Sequence, residues 1–412
     1  MMEIDYCIIS AGGKGSRIAQ ITEGVPKPLF PINGMSCLER SIKKLSKKNI
    51  KTIFISLHFK SEVFIPLLEV FRKKYDVNIE IYLEKDPLGE CGCIWKLSKK
   101  LKGNILFLNS DLIWNIDLKR LLNFHLDKGS DISLVTHTSN HPKDSDLIME
   151  DLSNEVSRFS LKPHLDINES NSMYLGNSGI AIFKSSIISK IKSPTQRVSF
   201  CNHILKNKVN SNIRVFSYNT SEYIKDMGTE ERLIQVRKDI KNRQLINKCY
   251  EKKQKCIFLD RDNTLIKCPP KKYITSLSEL QYKNKTIKLI SKIRDNFDLA
   301  VIVTNQPQIA MGLVSWEKVN QINCSVLSHC LNLGLHIDII SVCPHHPHNG
   351  YKDEIKYLKV DCFCRKPRPG LIFKEVFMRN IDLKRSILIG DSNNDKLAAE
   401  NSGVTFINVS DL

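Results

Sequence analysis

The chain has 412 residues, enough for two or three domains that each bury a core of their own. Apolar residues make up 42%, yet no run approaches the roughly 18–20 residues of a membrane span. The N-terminus shows no basic stretch followed by an apolar one, so we expect a cytoplasmic protein with no membrane partner. The net charge is +18, but the lysines are scattered over both halves, so no nucleic-acid partner is expected. A binding or end-processing role on DNA or RNA stays as the rival reading of that charge, and would show as steeply salt-dependent affinity. Thirteen cysteines point to reduced thiols and a metal rather than a disulfide framework.

In chain order, "YCIIS" reads as a strand, followed by a loop with Gly12, Gly13 and Gly15. "CLERSIKKLSKK" has helical spacing, "TIFISL" is a second strand, "SEVFIPLLEVFRKKY" a second helix and "IEIYLE" a third strand. This βαβ rhythm predicts a parallel sheet covered on both faces. The rhythm returns after residue 255, with "CIFLD", "LAVIVTN", "IDIISVC" and "SILIGD" as strands separated by helices. Between the two series, "TEERLIQVRKDIKNRQLINKCYEKKQK" is polar and helical with few core positions. The expectation is therefore α/β throughout: two doubly wound domains at 1–240 and 255–412, joined by a flexible linker at 241–254.

Glycines after the first strand let backbone N–H groups approach a polyphosphate closely, and Arg17 adds charge. Lys27 stands between Pro26 and Pro28, which stiffen its backbone beside that loop. Alone, such a lysine is more often a solvated one. The ordered continuation, "EKDPLGECGCI", "ILFLNSDLIWNID", "SRFSLKPHLD", "YLGNSGIAIF" and "YIKDMGTEERL", resembles the sugar-1-phosphate nucleotidyltransferases over the whole first half. That resemblance implies a Rossmann-like fold in which a sugar 1-phosphate oxygen attacks the α-phosphorus of a nucleoside triphosphate and pyrophosphate leaves. By the same resemblance Gly12, Gly13, Gly15, Arg17 and Lys27 hold the triphosphate, with Lys27 the catalytic cation. Gly89, with Pro87, Leu88 and Gly92, belongs to the base and sugar loop. Lys162 meets the sugar phosphate, Asn177 and Gly179 the sugar, and Asp111 and Asp226 hold Mg2+. Leu161 departs from the pattern, since a carboxylate usually precedes this lysine.

In the second half, "CIFLDRDNTLI" ends a strand with Asp260 and Asp262 two apart. At a strand end the chain can turn, so one carboxylate can attack while the other handles protons. Thr304 and Asn305 end another strand, Lys366 lies in "CRKPRPG", and Asp391 and Asp395 in "SILIGDSNNDKLAAENSGV". This set resembles the haloacid-dehalogenase phosphatases over nearly all of 255–412. The resemblance implies that Asp260 becomes an aspartyl phosphate while Asp262 protonates the leaving group and then activates water. It places Mg2+ on Asp260, the Asp262 carbonyl and Asp391, and has Thr304, Asn305 and Lys366 hold phosphoryl oxygens, with Asp395 orienting the set. Asn263 replaces the usual Gly but tolerates the same turn.

Cys343, His345, Cys362 and Cys364 offer four soft or borderline ligands in two close pairs, which suits a closed, structural Zn2+ site. Such a zinc would position Arg365 and Lys366; His346 and His348 read as loop residues. The pair pattern is shared by heptose 1,7-bisphosphate and histidinol-phosphate phosphatases. "CPHHP" and "CRKPRPG" resemble the heptose enzymes, although Met311 stands where they carry a basic residue. The first half in turn resembles the heptose 1-phosphate guanylyltransferases, which implies GTP and a phosphorylated heptose as small-molecule partners. Histidinol phosphate, or a hexose 1-phosphate with UTP or CTP, are the alternatives within the same fold.

Overall fold

The computed structural model describes residues 3–412 apart from 14, 16, 17, 19, 87, 88, 140, 141, 165–172 and 270–272. Arg17, Pro87 and Leu88, expected at the site, lie outside the described residues.

The first half is built on a nine-stranded sheet. In chain order its strands, with two small ribbons, are β1 (Ile4–Ser10), β2 (Pro31–Ile32), β3 (Met35–Ser36), β4 (Thr52–Leu57), β5 (Ile79–Leu83), β6 (Asn104–Asn109), β7 (Leu112–Asn115), β8 (Ile132–Thr138), β9 (Leu147–Glu150), β10 (Val156–Ser160), β11 (Leu175–Lys184), β12 (Val215–Asn219) and β13 (Tyr223–Asp226). The main path runs β10-β9-β11-β6-β1-β4-β5, while β8 pairs with β11 and β12. β1 is parallel to β4 and β6, and β4 to β5. Every residue of β4 is buried, as expected of a strand covered on both faces. The wholly parallel sheet expected from the rhythm is corrected here, because β11 runs antiparallel to β6, β8 and β9. Alternating apolar residues mark β11 as a strand, but its direction depends on where the chain re-enters the sheet. β7 and β13 form an antiparallel ribbon outside the sheet, with Asp226 opposite Leu112.

The second half carries β14 (Cys256–Leu259), β15 (Leu299–Asn305), β16 (Ile339–Cys343), β17 (Ile387–Gly390) and β18 (Thr405–Asn408). They form an all-parallel sheet in the order β16-β15-β14-β17-β18. One apolar cluster, around Leu259, Ile302 and Ile389, covers one face. Another, around Phe258, Val303 and Leu388, covers the other. Asp260, Thr304 and Asp391 thus emerge at the same ends of three neighbouring strands, where open α/β sheets place ligands.

The polar stretch between the halves has few core positions. Leu233, Val236, Cys249 and Tyr250 are buried, while most of residues 241–254 are exposed. The Tyr250 hydroxyl accepts from the Ser221 N–H at 2.9 Å, and the Tyr250 N–H donates to Glu222 at 2.9 Å. From the other half, Asn380 donates to the Tyr250 carbonyl at 2.9 Å, and the Gln254 N–H donates to the Asn380 carbonyl at 2.9 Å. The halves also touch directly: Thr138 Oγ1 donates to the Asp338 carbonyl at 2.5 Å, and Trp316 Nε1 to the Glu150 carbonyl at 3.0 Å. Composition marked the segment as polar, but its few apolar residues and backbone groups find partners on both sides. Among the described residues no helix is long and apolar enough to cross a membrane.

Candidate active sites

In the first half, Gly12, Gly13 and Gly15 follow the C-terminal end of β1. Gly15 has φ 62°, and a side chain there would set its Cβ 3.0 Å from Lys27 Cβ. The glycine therefore both makes the turn and lets Lys27 lie against it. The Lys27 ammonium pairs with Asp111, which sits between β6 and β7. Gly13, Gly15, Lys27, Asn109 and Asp111 line one cleft together with Glu90. The β7–β13 register brings Asp226 alongside, next to the strand residue that follows Asp111. Arg232 Nη1 donates to both Asp226 oxygens at 3.0 Å, and the Gly228 N–H to one of them at 2.6 Å. Burial works to raise the Asp226 pKa, but Arg232 outweighs it, with help from Lys27, and holds the carboxyl below its ordinary value. Asp226 is thus held in its charged form, and Asp111 beside it offers the same hard oxygen donors, the chemistry that suits Mg2+.

Lys162 is half-exposed; its ammonium donates to the Asp144 carbonyl at 3.1 Å and its N–H to Asp146 Oδ1 at 3.1 Å. The Asn177 N–H donates to the Asp146 carbonyl at 2.9 Å. Gly89 adopts φ 88° against Val198, where any Cβ would lie 2.2 Å from the Val198 carbonyl oxygen. Only glycine fits there. Leu161 packs on the apolar cluster beneath the sheet. Two residues not singled out from sequence stand out in this half. Arg232 ties Asp226 to Asp144 at 2.8 Å, and Glu90 is a carboxylate in the cleft wall. Arg232 sits in the quoted "TEERL", but nothing local says that it folds back onto Asp226.

In the second half, Lys366 Nζ donates to Asp260 Oδ1 at 2.6 Å and to Asp395 Oδ1 at 2.5 Å, all three side chains being buried. Burial foremost pushes the Asp260 carboxyl up to about 7, with Asp395 and Asp262 adding to it and Lys366 opposing. Asn305 fixes Lys366 in turn: its amide donates to the Lys366 carbonyl and its oxygen accepts from the Lys366 N–H, both at 3.0 Å. One oxygen each of Asp260, Asp391 and Asp395 lie within 4.8 Å of one another. That oxygen-only set fits Mg2+. Asp395 also caps its own helix through Ser392, whose N–H donates to Oδ2 at 3.1 Å. Asn263 takes φ 60°, the left-handed conformation that Asn tolerates.

Asp262 is held by partners other than Lys366. Arg261 Nη2 donates to Asp262 Oδ1 at 2.9 Å and Gln306 Nε2 to Oδ2 at 2.8 Å. Gln306 also donates to Thr304 Oγ1 at 2.7 Å, and Arg261 Nη1 to Asn323 at 2.9 Å. Arg261 is fully buried, and neither it nor Gln306 was singled out beforehand. A charged residue closing an apolar strand is the one signal that could have flagged Arg261, since a buried guanidinium needs a fixed partner.

The four clamp residues converge. Cys364 Sγ lies 3.1 Å from both Cys343 Sγ and Cys362 Sγ and 3.2 Å from His345 Nδ1. Cys343 Sγ lies 3.5 Å from Cys362 Sγ and 3.7 Å from His345 Nδ1. A tetrahedral zinc with bonds of about 2.0–2.3 Å spaces its ligands by roughly 3.5–3.8 Å, so the donor set fits with small adjustments. All thirteen cysteines are free. Arg365 Nη1 donates to the His345 carbonyl at 3.3 Å, which couples the clamp to the residue before Lys366. His346 lies apart, facing Lys359 at 3.2 Å.

Two halves with separate pockets, one around a lysine and two strand-end aspartates and one under a glycine loop, define a class of fused α/β enzymes. Residues 6–243 match the Nucleotidyl transferase family, and the chain belongs to it. It is also 37% identical over 152 residues to the D-glycero-alpha-D-manno-heptose-1,7-bisphosphate 7-phosphatase of Photorhabdus laumondii, covering 37% of this chain and 80% of that one. The chain therefore joins a nucleotidyl transferase to a member of that phosphatase family. The mannose-1-phosphate guanyltransferase of Pichia angusta is 30% identical over 191 residues, 45% of this chain and 51% of that protein. This chain spans about half the length of such guanyltransferases. HddC from Yersinia pseudotuberculosis superposes with a TM-score of 0.48 at 22% identity, covering 57% of this chain and 100% of that one.

Proposed function

We propose that the chain performs two successive steps on one sugar. The second half removes the 7-phosphate of D-glycero-D-manno-heptose 1,7-bisphosphate, and the first half transfers GMP from GTP to the resulting heptose 1-phosphate, releasing pyrophosphate. The observation that carries this reading is the union in one chain of a nucleotidyl transferase with a relative of a heptose bisphosphate phosphatase. The product of the second half is a sugar 1-phosphate, the class of acceptor that the first half needs.

In the phosphatase pocket an Asp260 oxygen attacks phosphorus and the bond to the sugar oxygen breaks, leaving an aspartyl phosphate. Asp262 gives its proton to the departing alkoxide and then takes one from the attacking water, which returns Asp260 and inorganic phosphate. Thr304 and Lys366 hold phosphoryl oxygens. Arg261 and Gln306, which grip Asp262, set where its proton is delivered. Mg2+ on Asp260, the Asp262 carbonyl and Asp391 would neutralise phosphoryl charge. In the transfer cleft Lys27 moves from Asp111 to the triphosphate, and Lys162 meets the sugar phosphate. Mg2+ on Asp111 and Asp226 would leave positioning and charge as the main catalytic means. The zinc clamp is structural and holds the loop that carries Arg365 and Lys366.

Incubation of the purified chain with the heptose bisphosphate, Mg2+ and all common triphosphates, read by mass spectrometry, tests this. GDP-heptose with one phosphate and one pyrophosphate is expected; release of neither anion sinks the reading. A second reading has mannose 1-phosphate as acceptor, favoured by the guanyltransferase relatives. The same assay with that sugar separates the two.

A further inference from the structure

The transfer cleft contains one acidic wall residue for which phosphate chemistry has no use. Gly89 presses its loop onto Val198, and the Glu90 N–H donates to the Val198 carbonyl at 3.1 Å. The Phe200 N–H donates back to Glu90 Oε2 at 3.1 Å. The other oxygen, Oε1, accepts from Asn109 Nδ2 at 3.3 Å. Asn109 ends β6 two residues before Asp111, and both share the cleft wall with Glu90. The carboxyl is fixed at both oxygens, yet each oxygen has a second lone pair free to accept.

Electrostatics decide what can face it. Burial foremost pushes Glu90 up to about 7, and Asp111 and Asp146 act in the same direction, against the Phe200 N–H and Lys162. A polyphosphate seated here would meet a further negative charge in a place of low dielectric, where repulsion is strong. Lys27, with Gly13 and Gly15, forms the side that suits polyphosphate. The wall around Glu90, which the charges of Asp146 and Lys162 also reach, suits an uncharged surface rich in donors. Ring hydroxyls next to a phosphate held by Lys162 have that character.

We propose that Glu90 is a specificity-determining residue of the transfer site, accepting hydrogen bonds from ring hydroxyls of the sugar phosphate. This rests on the nucleotidyl-transfer reading above. The test is steady-state kinetics with GTP, mannose 1-phosphate and heptose 1-phosphate, and the singly deoxygenated mannose 1-phosphates, on wild type, Glu90→Gln and Glu90→Asp. Glu90→Gln keeps the shape and an acceptor for the Phe200 N–H, and Glu90→Asp keeps the charge but withdraws it; circular-dichroism melting confirms that each folds. The sugar-phosphate KM is expected to rise by about tenfold or more in both variants, with the GTP KM held within about twofold. With wild type, the analogue lacking the hydroxyl that is read should lose about 10–100-fold in kcat/KM, and that gap should close to about threefold in Glu90→Gln. A rise in the GTP KM with the sugar KM unmoved makes Glu90 a base reader and overturns the proposal. An unchanged deoxy gap in an active, folded variant overturns it too, because Glu90 then only shapes its loop. Absence of pyrophosphate release by wild type with every pair brings down the transfer reading itself, and this inference with it.

Discussion

The two pockets use similar residues in opposite ways. In the second half Lys366 is 4% exposed and its partners Asp260 and Asp395 are 9% and 1% exposed. In the first half Asp111 is 29% exposed, Asp226 38% and Lys162 46%. The difference follows from where the groups are mounted. Asp260 and Thr304 stand at the ends of neighbouring strands of one parallel sheet and are buried there, while Asp391, at the end of the next strand, stays more open to solvent. Asp226 ends one strand of a two-stranded ribbon beside the main sheet and Asp111 immediately precedes the other, and Lys162 sits on a loop. A covalent nucleophile benefits from a desolvated, preset environment, whereas a cleft for a large, highly charged nucleotide has to stay open until it is filled.

If this contrast is right, changes in the closed pocket and in the open cleft should separate cleanly. The largest effect is expected from Asp260→Asn, which removes the proposed nucleophile. Phosphate release should fall by at least about a thousandfold while nucleotidyl transfer is unchanged, as read by parallel phosphate and pyrophosphate assays. Next, Lys27→Ala should lower transfer by about 100–1,000-fold and leave phosphate release alone. Loss of both activities in either variant would break the comparison, because the pockets would then not be independent.

Stability sharpens it further. Asp338 accepts from Arg294 Nη2 at 2.5 Å and from the Ala300 N–H at 2.8 Å, in the interior of the second half. Burial alone would raise its pKa, but Arg294 outweighs burial and holds the carboxyl well below the usual range. Asp338→Asn leaves a buried guanidinium unpaired and should cost about 3–5 kcal/mol in urea unfolding at neutral pH. The folded-state pKa lies below the unfolded one, so the contribution is fully present above about pH 4 and fades as pH falls below it. The gap between wild type and variant should therefore narrow in acid. A gap that widened in acid would contradict the pairing.

Smaller changes are expected from the Cys/His clamp and the connecting segment. Chelation should remove about one zinc per chain and lower the melting temperature by about 4–8 °C, with phosphate release affected before transfer. Tyr250→Phe loses the hydroxyl that meets the Ser221 N–H and Oγ. It should cost about 1 kcal/mol, a melting shift of about 2–4 °C. No shift at all would fit 241–254 as a loose tether.

Much of this molecule could be read from the chain. Strand–helix alternation marks both halves, and Asp260, Thr304 and Asp391 were identifiable because each ends an apolar run. The clamp was visible because its ligands come in pairs two residues apart, a spacing that survives any arrangement of the loop between them. Arg232, Glu90, Arg261 and Gln306 were less visible, for a shared reason. Glu90 is fixed by Phe200, 110 positions away, and Arg232 by Asp144, 88 away. Charge on a residue type says that a partner is needed, not which distant segment supplies it.

By itself, then, the sequence determined the alternation of elements, the order of the motifs and the paired metal-type ligands, because periodicity and short spacing act locally. Tertiary structure alone decided the antiparallel entry of β11, the packing of Tyr250 between the halves, and which cation faces which carboxylate. Those outcomes depend on long-range contacts and on how much water each group loses, and neither quantity exists until the sheets have formed.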